Sequence, residues 1–307
     1  MNYTLHQLRL FVKIAETKSI TRTSEELFLT QPAVSIQLRN FQNQFDIPLT
    51  EIIGRQLFVT EFGSEIAILA KKILEEVDEI QYKTLAFKDI LAGKLKISVV
   101  STGKYVMPFF LTDFLKKYHY VELSMDVTNK QKVLKSLEQN EVDFALISVL
   151  PTDVKVESEI LLENKLFLMG NRPLKEDQSV SQKSVFNQIP MIYREEGSGT
   201  RHVMEKFFEK NKIETKMTMQ LATNEAVKQA LLAGLGYSIM PLIGCKSELM
   251  NEQLHIVPVT GFPIKSDWRL IWLKDKMLSP VSLAYLKFLS VNKSKIIADN
   301  FSWISSY

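Results

Sequence analysis

Apolar positions along the chain change rhythm at about residue 60 and again at Ala92-Gly93. Over residues 5–16 they recur at helical spacing, with Leu8, Phe11, Val12 and Ala15 on one face. A second short helix, capped by Ser19 or Thr21, is expected to end near Phe28. Thr30 can cap a third, with Pro32 in its first turn, where a missing N–H costs little. Val34, Leu38, Phe41 and Phe45 then fall at i, i+4, i+7 and i+11, a single buried stripe. Ile36 lies about 200° from Val34 around the axis, so it belongs on the exposed face with Gln31, Ser35 and Arg39. Residues 49–59, with Gly54-Arg55 at their centre, read as a hairpin. Three short helices and a hairpin describe a winged helix-turn-helix; periodicity alone fits a plain three-helix bundle as well.

Thr60 caps a longer helix with Glu61 in its first turn. Ile66, Ala70, Ile73, Val77, Ile80, Thr84, Phe87 and Leu91 step alternately by four and three, a heptad seam with one polar interruption. Such a seam either lies along its own domain or pairs with a second copy of the helix. Its narrowness over this length favours a homodimer through residues 61–92. Beyond Gly93 strands and helices alternate. Strands are expected at 94–101, 121–128, 142–148, 166–171, 190–194, 217–222, 237–241, 255–260 and 269–274. Helices are expected at 105–118, 131–140, 200–210, 224–233 and 280–291. This is an α/β pattern of parallel sheet flanked by helices. If it forms two lobes, the crossovers fall at 161–166 and 262–268. Residues 296–307 give no pattern.

Composition narrows the functional classes. No apolar run reaches the ~18 residues of a membrane-spanning helix. One cysteine, Cys245, and no export signal lead to the expectation of a reducing, cytoplasmic setting. Cys245 reads as a buried small hydrophobe rather than a reactive thiol. The four histidines have no zinc spacing, and no cofactor is expected. Net charge is +3 for the chain, and residues 1–60 hold six Lys/Arg against five Asp/Glu. Bulk attraction to nucleic acid is therefore weak there, and an argument for DNA binding rests on pattern.

The stretch LHQLRLFVKIAETKSITRTSEELFLTQPAVSIQLRNFQNQFDIPL resembles the helix-turn-helix of the LysR-type bacterial transcriptional regulators nearly end to end. It includes the family's turn and recognition-helix phrase as Thr30 to Ser35. GRQLFVTEFG is similar to the wing and the start of the linker helix. REEGSGTR, TNEAVKQALLAGLGYSIMP and GFPI followed by Trp268 look most like the branch that includes regulators of the RuBisCO operon. The resemblance implies an α/β chain with a winged helix-turn-helix at 1–60, a linker and dimerisation helix at 61–92, and an effector-binding domain at 93–307. That last domain would have two lobes, about 93–161 with 268–292 and about 162–267, like periplasmic binding proteins. The implied partners are double-stranded promoter DNA, a small-molecule effector, further copies of the chain in a dimer or tetramer, and RNA polymerase. Two departures stand out. The family's Pro-Leu-Phe-x-Arg is Pro48-Leu49-Thr50-Glu51-Ile52, so the wing lacks an aromatic residue and an arginine. The paired alanines of the second helix are Thr23-Ser24.

The exposed face of the third helix carries the candidate DNA-reading chemistry. Gln31, beside Pro32, can pair with adenine, and Ser35 can reach a base or a phosphate. Arg39 can bind guanine or phosphate. Ile36 either touches a thymine methyl or is a lone surface apolar residue. Arg22 and Arg55 are phosphate candidates or ordinary solvated arginines. For the effector, the carboxyl ends of strands are the expected place. Ser101-Thr102, Ser148, Gly197-Ser198-Gly199-Thr200 and Thr223-Asn224 all lie at such ends. The GSGT turn opens a helix with Arg201 in its first turn, which suits an anion. The alternative is helix capping by Ser198 or Thr200, with Arg201 paired to Glu195 or Glu205.

An α/β enzyme and a solute-binding module without DNA function are the competing classes. No GxxxxGK[ST], GxSxG or HExxH occurs, and GLGYS at 234–238 is a weak glycine pair. A bare solute-binding module leaves the first 60 residues without a task.

Overall fold

A computed structural model describes residues 2–54, 56–173 and 182–307, in two units spanning residues 1–90 and 91–307. The first unit contains α1 (Leu5–Thr17), α2 (Ile20–Glu26), α3 (Gln31–Gln42), β1 (Thr50–Ile53), β2 (Gln56–Val59) and α4 (Glu61–Ala86). Each long helix starts at a side-chain cap: Thr4 for α1, Thr30 for α3 and Thr60 for α4. Ser19 caps α2. The core is Leu8, Leu10, Phe11, Ile14, Val34, Leu38, Phe41, Leu49 and Ala70. The α1 face is wider than the expected stripe: Leu10 and Ile14 are fully buried, while Val12 and Ala15 are half-buried. The reason is that α1 is covered by α2 and α3 and also by α4. Phe45 packs against this core from beyond the end of α3, stacking on Tyr3 at 6.0 Å.

Thr23-Ser24 now has a physical account. Both are buried. The hydroxyls of Thr17 and Thr23 bond each other at 2.7 Å, and Ser24 Oγ donates to the Thr21 carbonyl at 2.7 Å. Buried hydroxyls so satisfied stand in for alanine without an orphaned polar atom. Thr50 in the wing likewise donates through its N–H (3.0 Å) and hydroxyl (2.9 Å) to Gln42 Oε1, tying β1 to α3.

The helix α4 ends earlier than the seam suggested. It stops at Ala86, with Phe87 as a 94% exposed cap residue, and Leu91 packs in the other unit. Its first turns lie on their own domain through Phe62, Ile66, Ala67, Ala70 and Leu74. Ile73 and Ile80 face outward instead, Ile80 at 66% exposure.

The second unit is a mixed sheet with helices on its faces. Its elements are β3 (Ala92–Val100), α5 (Met107–Lys117), β4 (Tyr120–Thr128), α6 (Lys130–Glu138), β5 (Phe144–Ile147), β6 (Val156–Gly170), α7 (Gln182–Gln188), β7 (Met191–Arg194), α8 (Gly199–Asn211), β8 (Met217–Leu221), α9 (Asn224–Leu232), β9 (Ser238–Pro241), α10 (Lys246–Met250), β10 (His255–Ile256), β11 (Ile264–Leu273) and α11 (Pro280–Phe301). The strand order is β10-β6-β11-β5-β3-β4, with β9 also on β6 and a separate β7-β8 pair. β3 runs parallel to β4 and β5. Residues 161–166 and 264–268 belong to β6 and β11, which pair antiparallel from Ile264 opposite Leu166 to Leu273 opposite Val156. Successive residues of β6 point to opposite faces, so Leu166 and Leu168 enter one core while Phe167 and Met169 enter the other. One strand thus feeds both cores. The C-terminal residues join the larger core: α11 runs to Phe301, which stacks on Phe110 at 5.8 Å, and Ile296 and Ile304 belong to the same cluster.

Candidate functional sites

On α3 the burial of Val34, Leu38 and Phe41 fixes which side chains face outward. Gln31, Pro32, Ser35, Ile36 and Arg39 are all exposed. Gln31, Ser35 and Arg39 have no side-chain partner among the described residues, so their hydrogen-bonding groups are uncommitted. Arg22 differs. Its Nε donates to Glu26 Oε1 at 3.2 Å, and Lys13 meets the same carboxylate at 3.2 Å. The Lys13 bond, with Arg22 adding to it, holds the Glu26 carboxyl below its usual range. Arg22 is therefore already paired, though an exposed pair of this kind is weak and exchangeable. Arg55 lies outside the described residues.

In the second unit the carboxyl ends of β3, β5 and β7 meet the amino end of α8. The space there, about 10 Å³, is lined by Ser101, Thr102, Lys130, Ser148, Arg194 and residues 198–200, among others. Ser198 caps α8, its Oγ accepting from Arg201 N at 3.5 Å, and the first intrahelical bond is His202 N–H to Ser198 O at 3.0 Å. The amides of Gly199 and Thr200 precede that bond and carry the positive end of the helix. A Cβ placed on Gly199 would stand 3.9 Å from Lys130 Cδ and 4.0 Å from Ser148 Oγ, so the two walls are in contact distance here.

Arg194 is the residue that sequence reasoning missed. It ends β7 and is only 2% exposed. Glu195 holds it in a two-pronged pair, Nε to Oε2 at 2.8 Å and Nη2 to Oε1 at 2.9 Å. Nη2 also reaches Ser101 Oγ at 3.3 Å. Nη1 is buried with no acceptor. A guanidinium stays charged, and a buried donor without a partner costs about 1–3 kcal/mol. The signal for it in the sequence was PMIYR, an apolar strand closed by a cation at the end where ligands sit.

Arg201 is placed as the alternative reading has it, paired with Glu205. Its Nε is on Glu205 at 2.6 Å, and one Nη1 hydrogen goes to Gln220 at 2.8 Å with the Arg194 carbonyl at 3.2 Å. It lines an outer cavity with Gly197, not the inner cleft. Thr223 is exposed and spends its hydroxyl capping α9 on Ala226 N at 3.0 Å. Asn224 is buried, donates to Ser101 Oγ at 3.2 Å, and leaves its own Oδ1 without a partner. Ser101 thus joins Arg194 and Asn224. Cys245 is fully buried, and burial pushes its thiol up to about 12, which makes it an inert core residue.

No group of three or more His, Cys, Asp or Glu placed to hold a metal occurs among the described residues, and no described helix is long and apolar enough to cross a membrane.

Known proteins match both units. Residues 5–64 match the bacterial regulatory helix-turn-helix protein, lysR family, and residues 88–292 match the LysR substrate binding domain. The HTH-type transcriptional activator CmpR of Synechocystis is 36% identical over 94% of this chain and 95% of its own. The RuBisCO operon transcriptional regulator of Allochromatium vinosum is 35% identical over 94% of this chain and 96% of its own. Among solved structures, the CcmR regulatory domain of Synechocystis PCC6803 in complex with 2-PG is 29% identical, with a TM-score of 0.61 over 68% of this chain and 98% of that one. Full-length CbnR complexed with its target DNA shares the fold at a TM-score of 0.70, 18% identity, and 94% and 99% coverage. With both segments matched in order and relatives named as regulators rather than enzymes, this chain belongs to the LysR family of transcriptional regulators.

Proposed function

We propose that this regulator reads promoter DNA through the outward face of α3 and is switched by a small anionic metabolite bound at the cleft around Arg194. The observation that carries the effector assignment is the buried Nη1 of Arg194, which has no acceptor and lies beside the free amides of Gly199 and Thr200. An anion there satisfies a donor that the protein leaves unmet. The 2-PG bound by the CcmR regulatory domain supports a ligand of this class. Ser101, Thr102, Ser148, Ser198 and Asn224 complete or brace the site; Arg201 and Gly197 belong to its rim.

On the DNA side, Gln31, Ser35 and Arg39 supply uncommitted groups for base edges and phosphates, with Pro32 and Ile36 as apolar contacts. Arg22 and Arg55 serve phosphates. The outward Ile73 and Ile80 on α4 suit a second copy of the same helix, which sets two recognition helices on an inverted repeat. Pairing of dimers into a tetramer, contact with RNA polymerase and a cytoplasmic location follow from the family resemblance. A ligand that prefers one arrangement of the two lobes shifts the population toward it, and with it the geometry presented to DNA.

Calorimetric titration of the full-length protein with 2-PG, wild type against Arg194→Gln, tests the site. A charge-assisted bond contributes about 1.5–3 kcal/mol, so affinity should fall about 10- to 150-fold. Unchanged affinity in the variant would remove Arg194 from the effector site.

A further inference from the structure

The β1-β2 hairpin is fixed at its root and open at its tip. Leu49, just before it, is fully buried. Thr60, just after it, donates its N–H to the Leu49 carbonyl at 3.1 Å and its hydroxyl to the Pro48 carbonyl at 2.7 Å. Thr50 is tied to Gln42, the last residue of α3. The strands then pair Ile52 with Leu57 and Ile53 with Gln56. Side chains alternate between the two faces, so Ile52 shares a face with Leu57, and Ile53 lies on the other with Phe58 diagonal to it. Leu57 packs on the core of this unit. Its partner Ile52 does not: it is 72% exposed, with Ile53 at 59% and Phe58 at 40%. A Cβ built on Gly54 at the turn would meet no atom of the described residues within 4 Å. Single apolar residues scattered over a surface need no explanation. Two adjacent β-branched ones, on opposite faces of one fixed tip, present an apolar edge. Residues 50–59 hold one acid, Glu51, and one base, Arg55, so the hairpin has no net charge to draw it to a phosphate backbone.

We propose that this tip is a minor-groove reader, with Ile52 and Ile53 set as an apolar wedge in the groove that adjoins the α3 contact. The assignment rests on α3 lying in the major groove, since the hairpin is rooted at the end of that helix and is carried with it. The minor groove of B-DNA, about 6 Å wide, admits a hairpin tip but not a helix about 10 Å across. Over A·T pairs its floor offers only acceptors. A G·C pair adds the guanine amino group, a donor that an apolar side chain displaces from water and cannot satisfy. Isoleucine is among the side chains that proteins press into this groove and between base steps. The wedge therefore favours A·T pairs, and readily unstacked pyrimidine–purine steps, beside each half-site. That preference is separate from the one supplied by Gln31, Ser35 and Arg39.

The test uses the full-length protein and duplexes that it enriches from a random-sequence pool, rebuilt with A·T, G·C or inosine·cytosine pairs flanking the half-sites. Inosine keeps the major-groove face of guanine and lacks its minor-groove amino group. Fluorescence anisotropy gives the affinity. Wild type should bind G·C-flanked duplexes about fivefold or more weakly than A·T-flanked ones, and inosine·cytosine should restore the affinity. Ile52→Ala combined with Ile53→Ala should bind the A·T-flanked duplex about tenfold more weakly, unfold at the same temperature as wild type, and treat the three flanks alike. No loss of affinity in the double variant, or a wild type indifferent to exchange of guanine for inosine, overturns the wedge. So does a double variant whose self-association falls in analytical ultracentrifugation without DNA, because the tip is then a contact between copies of this chain. Gln31→Ala separates the wedge from the reading of α3: a loss of affinity there beside a silent hairpin variant overturns the wedge and leaves α3 in place. Failure to enrich any duplex overturns both.

Discussion

Lys228 offers the sharpest stability experiment. It is 8% exposed and bridges Glu248 at 2.9 Å and Glu225 at 3.2 Å, with the Gly244 carbonyl at 3.4 Å. Tyr105, from the segment after β3, donates its hydroxyl to Glu225 at 3.0 Å. Replacing Lys228 with Met keeps the volume and removes the charge, leaving two carboxylates near each other. Breaking a buried pair from one side costs about 3–5 kcal/mol. Glu225 is 43% exposed and can turn to water, so solvent screening reduces the expectation to about 2–3 kcal/mol. The pH dependence gives a second reading of the same cluster. Burial opposes ionisation of Glu248 and Glu225, but their hydrogen bonds, Lys228 among the donors, outweigh it and lower both carboxyls. Groups lowered in the folded state stabilise it above the ordinary carboxylate range and lose that contribution as pH falls. For Lys228 burial is outweighed by its two carboxylates and the ammonium is raised, so its contribution holds below its ordinary value and fades only at strongly basic pH. The wild-type advantage should therefore be full at pH 7 and shrink below about pH 4. Urea unfolding followed by circular dichroism at pH 7 and pH 4 measures both. A loss under about 0.5 kcal/mol at pH 7, or a gap that does not narrow in acid, refutes the cluster as a stabilising one.

Further outcomes can be checked in the same protein. A Cβ on Gly63 would stand 2.0 Å from the Leu49 carbonyl oxygen, so Gly63→Ala should destabilise the first unit by about 1–3 kcal/mol or more in thermal unfolding. Ile80→Glu, at an outward position on α4, should leave the fold intact and lower the self-association measured by analytical ultracentrifugation. Cys245 should resist alkylation at pH 8 in the folded protein and react once urea opens the core, as mass spectrometry would show.

The parts of this fold that are governed by near neighbours were readable in the sequence. Thr30, Pro32 and the Val34-Leu38-Phe41 spacing determine α3 within twelve residues, and the structure places them as expected. The first half of β6 was not readable, because Glu157, Glu159 and Glu163 break its apolar run. In the structure Glu163 pairs with Lys265 at 3.0 Å and Glu159 with Lys293, partners more than 100 residues away. Partners separated in sequence also hid Arg194. GSGT-Arg201 announces a helix start locally, while the burial of Arg194 depends on Ser101, Glu195 and the Ala222 carbonyl. Thr23 looked anomalous for a similar reason, since its partner Thr17 becomes visible only once α1 and α2 pack, whereas Ser24 bonds within α2 to the Thr21 carbonyl.

The ribbon of β6 and β11 has a mechanical consequence. Ten paired residues of hydrogen-bonded strand resist sliding, because a slip of one residue would turn buried Leu162, Trp268 and Leu270 to the other face. The register shift between Trp268 and Arg269 raises the local twist and bends the ribbon at one point, while the ladder on either side keeps its pairing. The two strands are therefore expected to open together rather than one at a time.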